Sequence, residues 1–187
     1  GEKVAMSTRS GDFVTLRQLI EEIGVDATRF FYVMRRSDQH LDFDLDLATA
    51  RTSDNPVFYV QYAHARCSSI RSKARESGLD PDSFGEADLL GLDRSEEKAI
   101  VRQMDRLPHV VIQAVHEIDP MSMTVYLRDL ATSFHSYYSA GIKDPGLRII
   151  REDDRNLAAG RLALITSLRQ TLANGLKLLG IDPLHRL

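Results

Sequence analysis

Apolar residues recur every three or four positions over most of this 187-residue chain, which is the spacing of amphipathic helices. Near the start, this spacing predicts a helix that opens at Thr15 and closes at Gly24. A second helix is expected to begin with Asp26 as its N-cap and to run to about Arg36. Over 41–47 the apolar residues instead alternate with aspartate, a pattern that predicts an extended segment.

From residue 51 onward the whole pattern is helical. Pro56 follows Asn55, and a proline at the first turn is typical of a helix start. Pro108 splits one long helical stretch in two, because its ring clashes with the preceding turn and it lacks a backbone N–H. A short helix is possible within the loop over 79–92. The long predicted helices cover 56–77, 94–107, 108–118, 121–141 and about 153–179.

These elements predict an all-α fold. We expect a bundle of about four to five helices at 51–187, preceded at 1–50 by a small mixed segment of a loop, two helices and an extended arm. Apolar residues make up 43% of the chain and charged residues 27%, so the chain has the composition of a globular protein with a buried core.

Charge and cysteine content limit the classes of function. The formal net charge of -3 excludes a uniformly basic surface but leaves room for a local basic face that binds nucleic acid. The single Cys67 excludes a disulfide framework, and its place on an apolar stripe predicts a small core residue. No apolar run approaches the roughly 20 residues that cross a bilayer.

Metal binding is not predicted. The aspartates Asp42, Asp44 and Asp46 suggest a calcium loop, but Leu47 stands where the required glycine would be and Ser53 where the glutamate would be. The six histidines show no spacing typical of zinc ligands.

The predicted helix 56–77 carries the most informative side chains. At about 100° per residue, its aromatic and cationic positions fall within one stripe of roughly 80°. The stripe comprises Tyr59, Tyr62, Arg66, Ser69 and Lys73. Tyrosine rings and arginine together favour the binding of unstacked bases and their phosphates. The alternative is that both tyrosines are half-buried with their hydroxyls at the rim of the core.

The order of residues in this helix resembles a known family. Residues 54–66, Asp-Asn-Pro-Val-Phe-Tyr-Val-Gln-Tyr-Ala-His-Ala-Arg, resemble the segment that opens the anticodon-binding domain of bacterial-type class I arginyl-tRNA synthetases. The sequence segments 126–138 and 172–180 resemble the same family. The resemblance implies that a set of residues lies against the tRNA anticodon loop. That set is Tyr59, Tyr62, Arg66, Lys73, Tyr137, Tyr138 and the apolar terminal residue Leu187.

The beginning of the chain resembles the same family. Residues 5–9, Ala-Met-Ser-Thr-Arg, look like its mobile KMSKS loop, and residues 26–29, Asp-Ala-Thr-Arg, look like the Asp-Ala-x-Arg word that follows. Both lysines of the loop pattern are replaced, by Ala5 and Thr8, so the local cations are Lys3 and Arg9. The resemblance implies that the phosphates of ATP contact the residues Lys3, Met6, Ser7 and Arg9.

The function that the resemblance implies is arginine–tRNA ligase, which attaches arginine to its tRNA with ATP and Mg²⁺. We expect a cytoplasmic monomer that binds arginine tRNA and no membrane. The HIGH-bearing Rossmann-type domain is missing from this sequence, so we expect the chain alone to be inactive and to hold no cofactor. We also expect the apolar side chains of Phe30, Phe31 and Met34 to face that missing domain.

Two alternatives remain open. The first is a sibling class I synthetase of the cysteinyl or methionyl group, against which the stretch 61–66 argues. The second is a helical protein-interaction module without an RNA role. Such a module would expose apolar residues where this sequence places the cations of the helix 56–77.

Overall fold

The computed structural model describes residues 15–36, 39 and 43–186, and every regular element within them is helical. The elements in chain order are α1 Leu16–Ile23, α2 Val25–Val33, α3 Leu45–Thr49, α4 Pro56–Glu76, α5 Glu86–Leu90, α6 Ser95–Asp105, α7 Leu107–Glu117, α8 Met121–Lys143, a 3-10 turn Pro145–Leu147, and α9 Arg155–Leu178.

The core lies where α4, α8 and α9 pack against one another. Helix α4 contributes small and β-branched side chains, α9 contributes mostly leucines, and α8 contributes two leucines with Met123, Ala131 and the rings of Tyr126, Phe134 and Tyr137. Leu130, Leu168 and Leu172 are fully buried. Burying one such side chain stabilises the fold by about 1.5–3 kcal/mol, so this interface holds the bundle together. Helices α6 and α7 pack on α8, and α5 packs on α9.

One glycine shows how closely α5 approaches α9. A Cβ atom on Gly160 would overlap the backbone carbonyl of Asp88, which belongs to α5. Backbone atoms cannot move aside as a flexible side chain can, so only glycine fits at this crossing.

The bundle agrees with the predicted fold class. Within the described part of the chain, five helices of 11 residues or more follow residue 55, and the short α5 lies in the stretch predicted to be a loop with one short helix. Pro108 occupies the first turn of α7, so the predicted split at this proline is confirmed. Asp154 caps α9 by accepting a hydrogen bond from the Leu157 amide at 3.0 Å.

The start of α2 differs from the prediction. Gly24, with φ of 83°, ends α1 and also precedes α2, so the N-cap is Gly24 and not Asp26. The Asp26 carboxylate instead accepts a hydrogen bond from Gln61 Nε2 at 3.1 Å. The helix also ends at Val33, before Arg36. Asp26 therefore ties α2 to α4, because a tertiary partner was available to its side chain.

The buried face of α2 also differs from the prediction. Phe30 and Phe31 are 0% and 5% exposed and belong to the main core. Helix α2 packs on α1, α3, α4 and α8, so the described part of the chain itself buries the two rings. The expectation that Phe30 and Phe31 face a missing domain is therefore wrong.

The extended segment predicted over 41–47 is wrong at its C-terminal end. Leu45–Thr49 forms the helix α3, and Asp44 caps it by accepting a hydrogen bond from the Leu47 amide at 2.9 Å. An aspartate at an N-cap stabilises a helix start by about 0.5–2 kcal/mol relative to alanine. Phe43 lies beside the Phe31 ring, at 5.3 Å between centroids. Residues 41 and 42 lie outside the described residues.

Candidate nucleic-acid interface

The start of α4 is held in place by its N-cap, Asn55. Asn55 is buried, and its side-chain oxygen accepts hydrogen bonds from the amides of Val57 at 3.2 Å and Phe58 at 3.4 Å. Its Nδ2 donates to the carbonyl oxygens of Ala48 and Ala50, both at 2.9 Å. One side chain therefore caps α4 and ties it to the end of α3, which fixes the rotation of the helix.

This rotation places the predicted stripe at the protein surface. Val60, Ala63 and Cys67 are each 0% exposed and face the core. On the neighbouring face Tyr59, Tyr62 and Arg66 are half-buried, while Ser69 and Lys73 are exposed. The helix therefore separates a core face from a mixed aromatic and cationic face, as its periodicity predicts.

Rings from α4 and α8 meet on this face and form what we call the aromatic cluster: Phe58, Tyr59, Tyr62, His135 and Tyr138. The Tyr62 ring stacks with Phe58 at 5.8 Å and with His135 at 5.5 Å between centroids. The His135 ring also lies 4.6 Å from the Tyr59 ring. Such offset pairs hold each ring in a defined orientation.

Arg66 lies inside this cluster. Its guanidinium carbon is 4.3 Å from the centre of the Tyr62 ring and 4.5 Å from that of the Tyr138 ring, so it is in contact with both. The guanidinium also donates a hydrogen bond to the Tyr62 hydroxyl. A positive charge thus lies among electron-rich ring faces, the combination that binds bases and phosphates of single-stranded nucleic acid.

His135 belongs to this site, although the sequence stripe did not include it. Its Nε2 lies 3.3 Å from the Tyr59 carbonyl oxygen, which can only accept, so Nε2 carries the hydrogen. Burial lowers the pKa of His135, the charge of Arg66 lowers it further, and the hydrogen bond to Tyr59 opposes both. The ring is therefore neutral near pH 7 and packs as an aromatic group. The sequence could have indicated that His135 shares a face with Tyr138, because it lies three residues before Tyr138 on a predicted helix.

A family model agrees with this geometry. The model of the DALR anticodon-binding domain matches residues 60–187, which is more than half of the chain. The chain belongs to the DALR anticodon-binding domain family. Within the match, Tyr62 lies near the start, on α4, and His135 and Tyr138 lie near the middle, on α8, while Phe58 and Tyr59 immediately precede residue 60.

The relatives of this DALR domain are named as arginine–tRNA ligases. The chain is 50% identical over 186 residues to the arginine–tRNA ligase of Thioalkalivibrio sulfidiphilus, covering 97% of the chain and 30% of that protein. It is 46% identical over 187 residues to the arginine–tRNA ligase of Syntrophotalea carbinolica, covering 100% of the chain and 32% of the relative. The resemblance to arginyl-tRNA synthetases is confirmed. The chain spans about a third of the length of these curated relatives.

A solved structure supports the same assignment. The arginyl-tRNA synthetase of Thermus thermophilus superimposes with a TM-score of 0.69 at 29% identity, over 96% of this chain and 29% of that chain. The all-helical bundle is therefore the fold of a solved synthetase region.

The prediction that Tyr137 contacts the anticodon loop is wrong. The residue is 1% exposed, and its hydroxyl donates to Glu97 Oε1 at 3.1 Å. Glu97 also accepts from Arg161 Nε at 2.7 Å, in an ion pair that is likewise buried. Burial raises the pKa of Tyr137, so its hydroxyl stays protonated and keeps donating. Tyr137 is therefore a core residue and is not available to tRNA, whereas its neighbour Tyr138 faces Arg66.

The segment after α9 returns to α4, where it contacts buried side chains on the face away from the aromatic cluster. Gln61 Nε2 donates to the Asp182 carbonyl oxygen at 3.0 Å, and His64 Nδ1 lies 2.8 Å from the Leu184 carbonyl oxygen. The segment therefore runs along the helix that carries the stripe. Leu187, the predicted terminal contact, lies outside the described residues, and its role stays a prediction.

Several cavities open on the described surface. One of about 220 Å³ lies between the start of α4 and α8, with Tyr59, Arg128 and Thr132 in its lining, and so adjoins the aromatic cluster. A larger one of about 420 Å³ lies between α5 and α9, away from the cluster, and its arginines are accompanied by aspartates. Of these two, the cavity of about 220 Å³ is the one that adjoins the aromatic cluster.

The predicted ATP-binding residues Lys3, Met6, Ser7 and Arg9 lie outside the described residues, and their role stays a prediction.

Among the residues that the structure does describe, no group of three or more His, Cys, Asp or Glu side chains could hold a metal ion. No helix in the described ranges has the length and apolar character needed to span a bilayer.

Proposed function

We propose that this DALR domain binds the anticodon loop of an arginine tRNA through Tyr59, Tyr62, Arg66, Lys73 and Tyr138. The observation that carries the proposal is the convergence of these tyrosines and Arg66 on one partly open face formed by α4 and α8. Anticodon bases are splayed out of the stack, and each base gains about 1–3 kcal/mol when it stacks on an aromatic ring.

Charge supports the same face. Lys73 is exposed and continues the line of Arg66 toward the C-terminal end of α4. The net charge of the chain is -3, so attraction of RNA depends on local cations and not on overall charge. A phosphate contacted by Lys73 releases counterions, which makes the binding sensitive to salt.

The relatives' names support a proposal about the reaction of a whole protein. We propose that the longer protein containing this domain is an arginine–tRNA ligase that uses arginine, ATP and Mg²⁺, and works in the cytoplasm as a monomer. In that protein, Lys3, Met6, Ser7 and Arg9 would contact the ATP phosphates and Leu187 the anticodon loop. The domain alone would bind tRNA without forming an adenylate.

A salt titration with matched charge variants tests the proposal. Lys73→Gln should lower the affinity for arginine tRNA and make the slope of log K against log salt shallower by about 0.7–0.9. Lys98→Gln is the control, because Lys98 is an exposed lysine on α6, a helix that does not pack on α4. It should leave both the affinity and the slope unchanged.

The same titration separates the alternatives. Equal affinity for cysteine or methionine tRNA would favour a sibling synthetase over an arginine enzyme. The unaltered chain failing to bind any tRNA at low salt would instead favour a protein-interaction module and contradict the proposal.

A further inference from the structure

The Arg66 guanidinium occupies the position of a stacked ring. It lies 4.3 Å from the Tyr62 ring centre and 4.5 Å from the Tyr138 ring centre, and these two rings belong to different helices. A guanidinium is planar and delocalised, and it stacks on aromatic faces as a nucleobase does. The gap between Tyr62 and Tyr138 therefore already holds a flat group of the kind that a base would supply.

Both tyrosine rings are supported by other rings. Tyr62 stacks with Phe58 and His135, and the Tyr138 ring lies 6.2 Å from that of Phe134, which is fully buried. Because α4 and α8 pack directly on each other, the spacing of the two rings depends on helix packing and not on a loop. The gap should keep its width when the group between the rings leaves.

Arg66 is the neighbour of Tyr62 that can leave most easily. Phe58 and His135 are rings on short stems, and the His135 ring is further fixed by the Tyr59 carbonyl oxygen. Arg66 has a long flexible stem, is half-buried, and holds its place through the two rings and the hydrogen bond to the Tyr62 hydroxyl. A base can therefore reach the shared space between Tyr62 and Tyr138 by displacing the guanidinium alone.

We propose that the gap between the Tyr62 and Tyr138 rings is a seat for one unstacked RNA base, which Arg66 fills in the free protein. When the base enters, the Arg66 guanidinium moves outward and donates to a phosphate of the same RNA loop. This inference rests on the proposed function, since it assumes that the loop of a tRNA meets this face. Beyond that function, it specifies where one base binds, assigns one side of that site to Tyr138 of α8, and states that Arg66 is displaced.

A double-mutant cycle tests the seat. The variants are Tyr138→Leu, Arg66→Met and both together, and the probe is the anticodon stem-loop of an arginine tRNA. Tyr138→Leu should weaken binding roughly 5- to 150-fold through lost stacking, and by a similar factor when Arg66→Met is already present. If Tyr138 served only to hold Arg66, it would have no effect in the Arg66→Met background, and the seat would be wrong.

Two further measurements follow the base and the arginine separately. With 2-aminopurine placed in turn at each loop position, fluorescence at one position should be quenched in the complex and recover with Tyr138→Leu. Arg66→Met should make the salt slope shallower by about 0.7–0.9, because the displaced guanidinium no longer meets a phosphate. An unchanged slope would show that Arg66 stays between the rings, which overturns the displacement.

Controls keep folding and function apart. Tyr138→Phe retains the ring and should recover most of the binding lost in Tyr138→Leu, whereas Lys98→Gln, outside the site, should bind the stem-loop like the unaltered chain. The thermal midpoint of each variant is measured so that affinities are compared per folded molecule. Binding by the unaltered chain with no effect of Tyr138→Leu overturns the seat but leaves the proposed function standing. The unaltered chain failing to bind the stem-loop overturns both.

Discussion

Tyr62 and Tyr137 carry the same side chain on helices that pack against each other, but they have opposite surroundings. Tyr62 is half-buried among rings and a guanidinium, with one side toward solvent. Tyr137 is 1% exposed and donates to a carboxylate that has no access to water. A truncation at each position should therefore separate binding from stability.

We expect Tyr62→Ala to lower tRNA affinity by about 1–3 kcal/mol while costing about 1 kcal/mol of unfolding free energy. Tyr137→Ala should cost about 3–5 kcal/mol of stability, because it leaves a cavity and removes a donor from Glu97. Its affinity per folded molecule should be unchanged. Denaturant unfolding and tRNA titration of both variants decide this, and the reverse order would assign the Tyr62 face to the core.

At the scale of elements, the orientation of α4 depends on its N-cap residue, Asn55. Asn55 makes four side-chain hydrogen bonds, two to amides of α4 and two to carbonyls around the end of α3. Tyr59 lies one turn after this cap, so the rotation of α4 at its start determines where the aromatic cluster forms.

Asn55→Ala should cost more than the about 0.5–2 kcal/mol typical of a lost N-cap, because the Ala48 and Ala50 carbonyls lose their donor as well. Asp154→Ala is the matched control: Asp154 caps α9 in an exposed position and should show the ordinary cost alone. Equal losses of unfolding free energy in the two variants would mean that the link between α3 and α4 contributes nothing.

At the scale of the whole molecule, two histidines lie where separate parts of the fold meet. His135 joins α8 to α4, and His64 joins α4 to the segment after α9. Burial lowers the pKa of His64 below its ordinary value of 6.5, and the charges of Arg169, His185 and Lys177 lower it further. Burial lowers the pKa of His135 in the same direction.

Acid should therefore weaken the fold. The unfolded chain takes up protons near pH 6.5, while the folded chain takes them up at a lower pH, so the unfolded state binds more protons in between. Stability is fully present above about pH 6.5 and is lost as the pH falls toward the folded pKa values. The unfolding free energy should be smaller at about pH 5.5 than at about pH 7.5.

His64→Gln should reduce this acid-induced loss, whereas His109→Gln should not, because His109 is exposed on α7. The measurement is the difference in unfolding free energy between the two pH values for each variant. An equal difference in all three proteins would remove His64 as a cause.

The helical fold and one face of the site follow from the sequence by itself. Apolar spacing, Pro56, Pro108 and the cap at Asp154 locate the long helices, because these signals act within one or two turns of the chain. The stripe with Tyr59, Tyr62 and Arg66 follows for the same reason, since helical periodicity alone decides which residues share a face.

Contacts between distant parts of the chain decided the rest. Asp26 binds Gln61 instead of capping α2, Phe30 and Phe31 are buried in the main core, and Tyr137 turns inward to Glu97 of α6. His135 joins the aromatic cluster across 76 positions of sequence. Local patterns cannot distinguish adjacent residues such as Tyr137 and Tyr138, because which of them is buried depends on the partner helices that pack around α8.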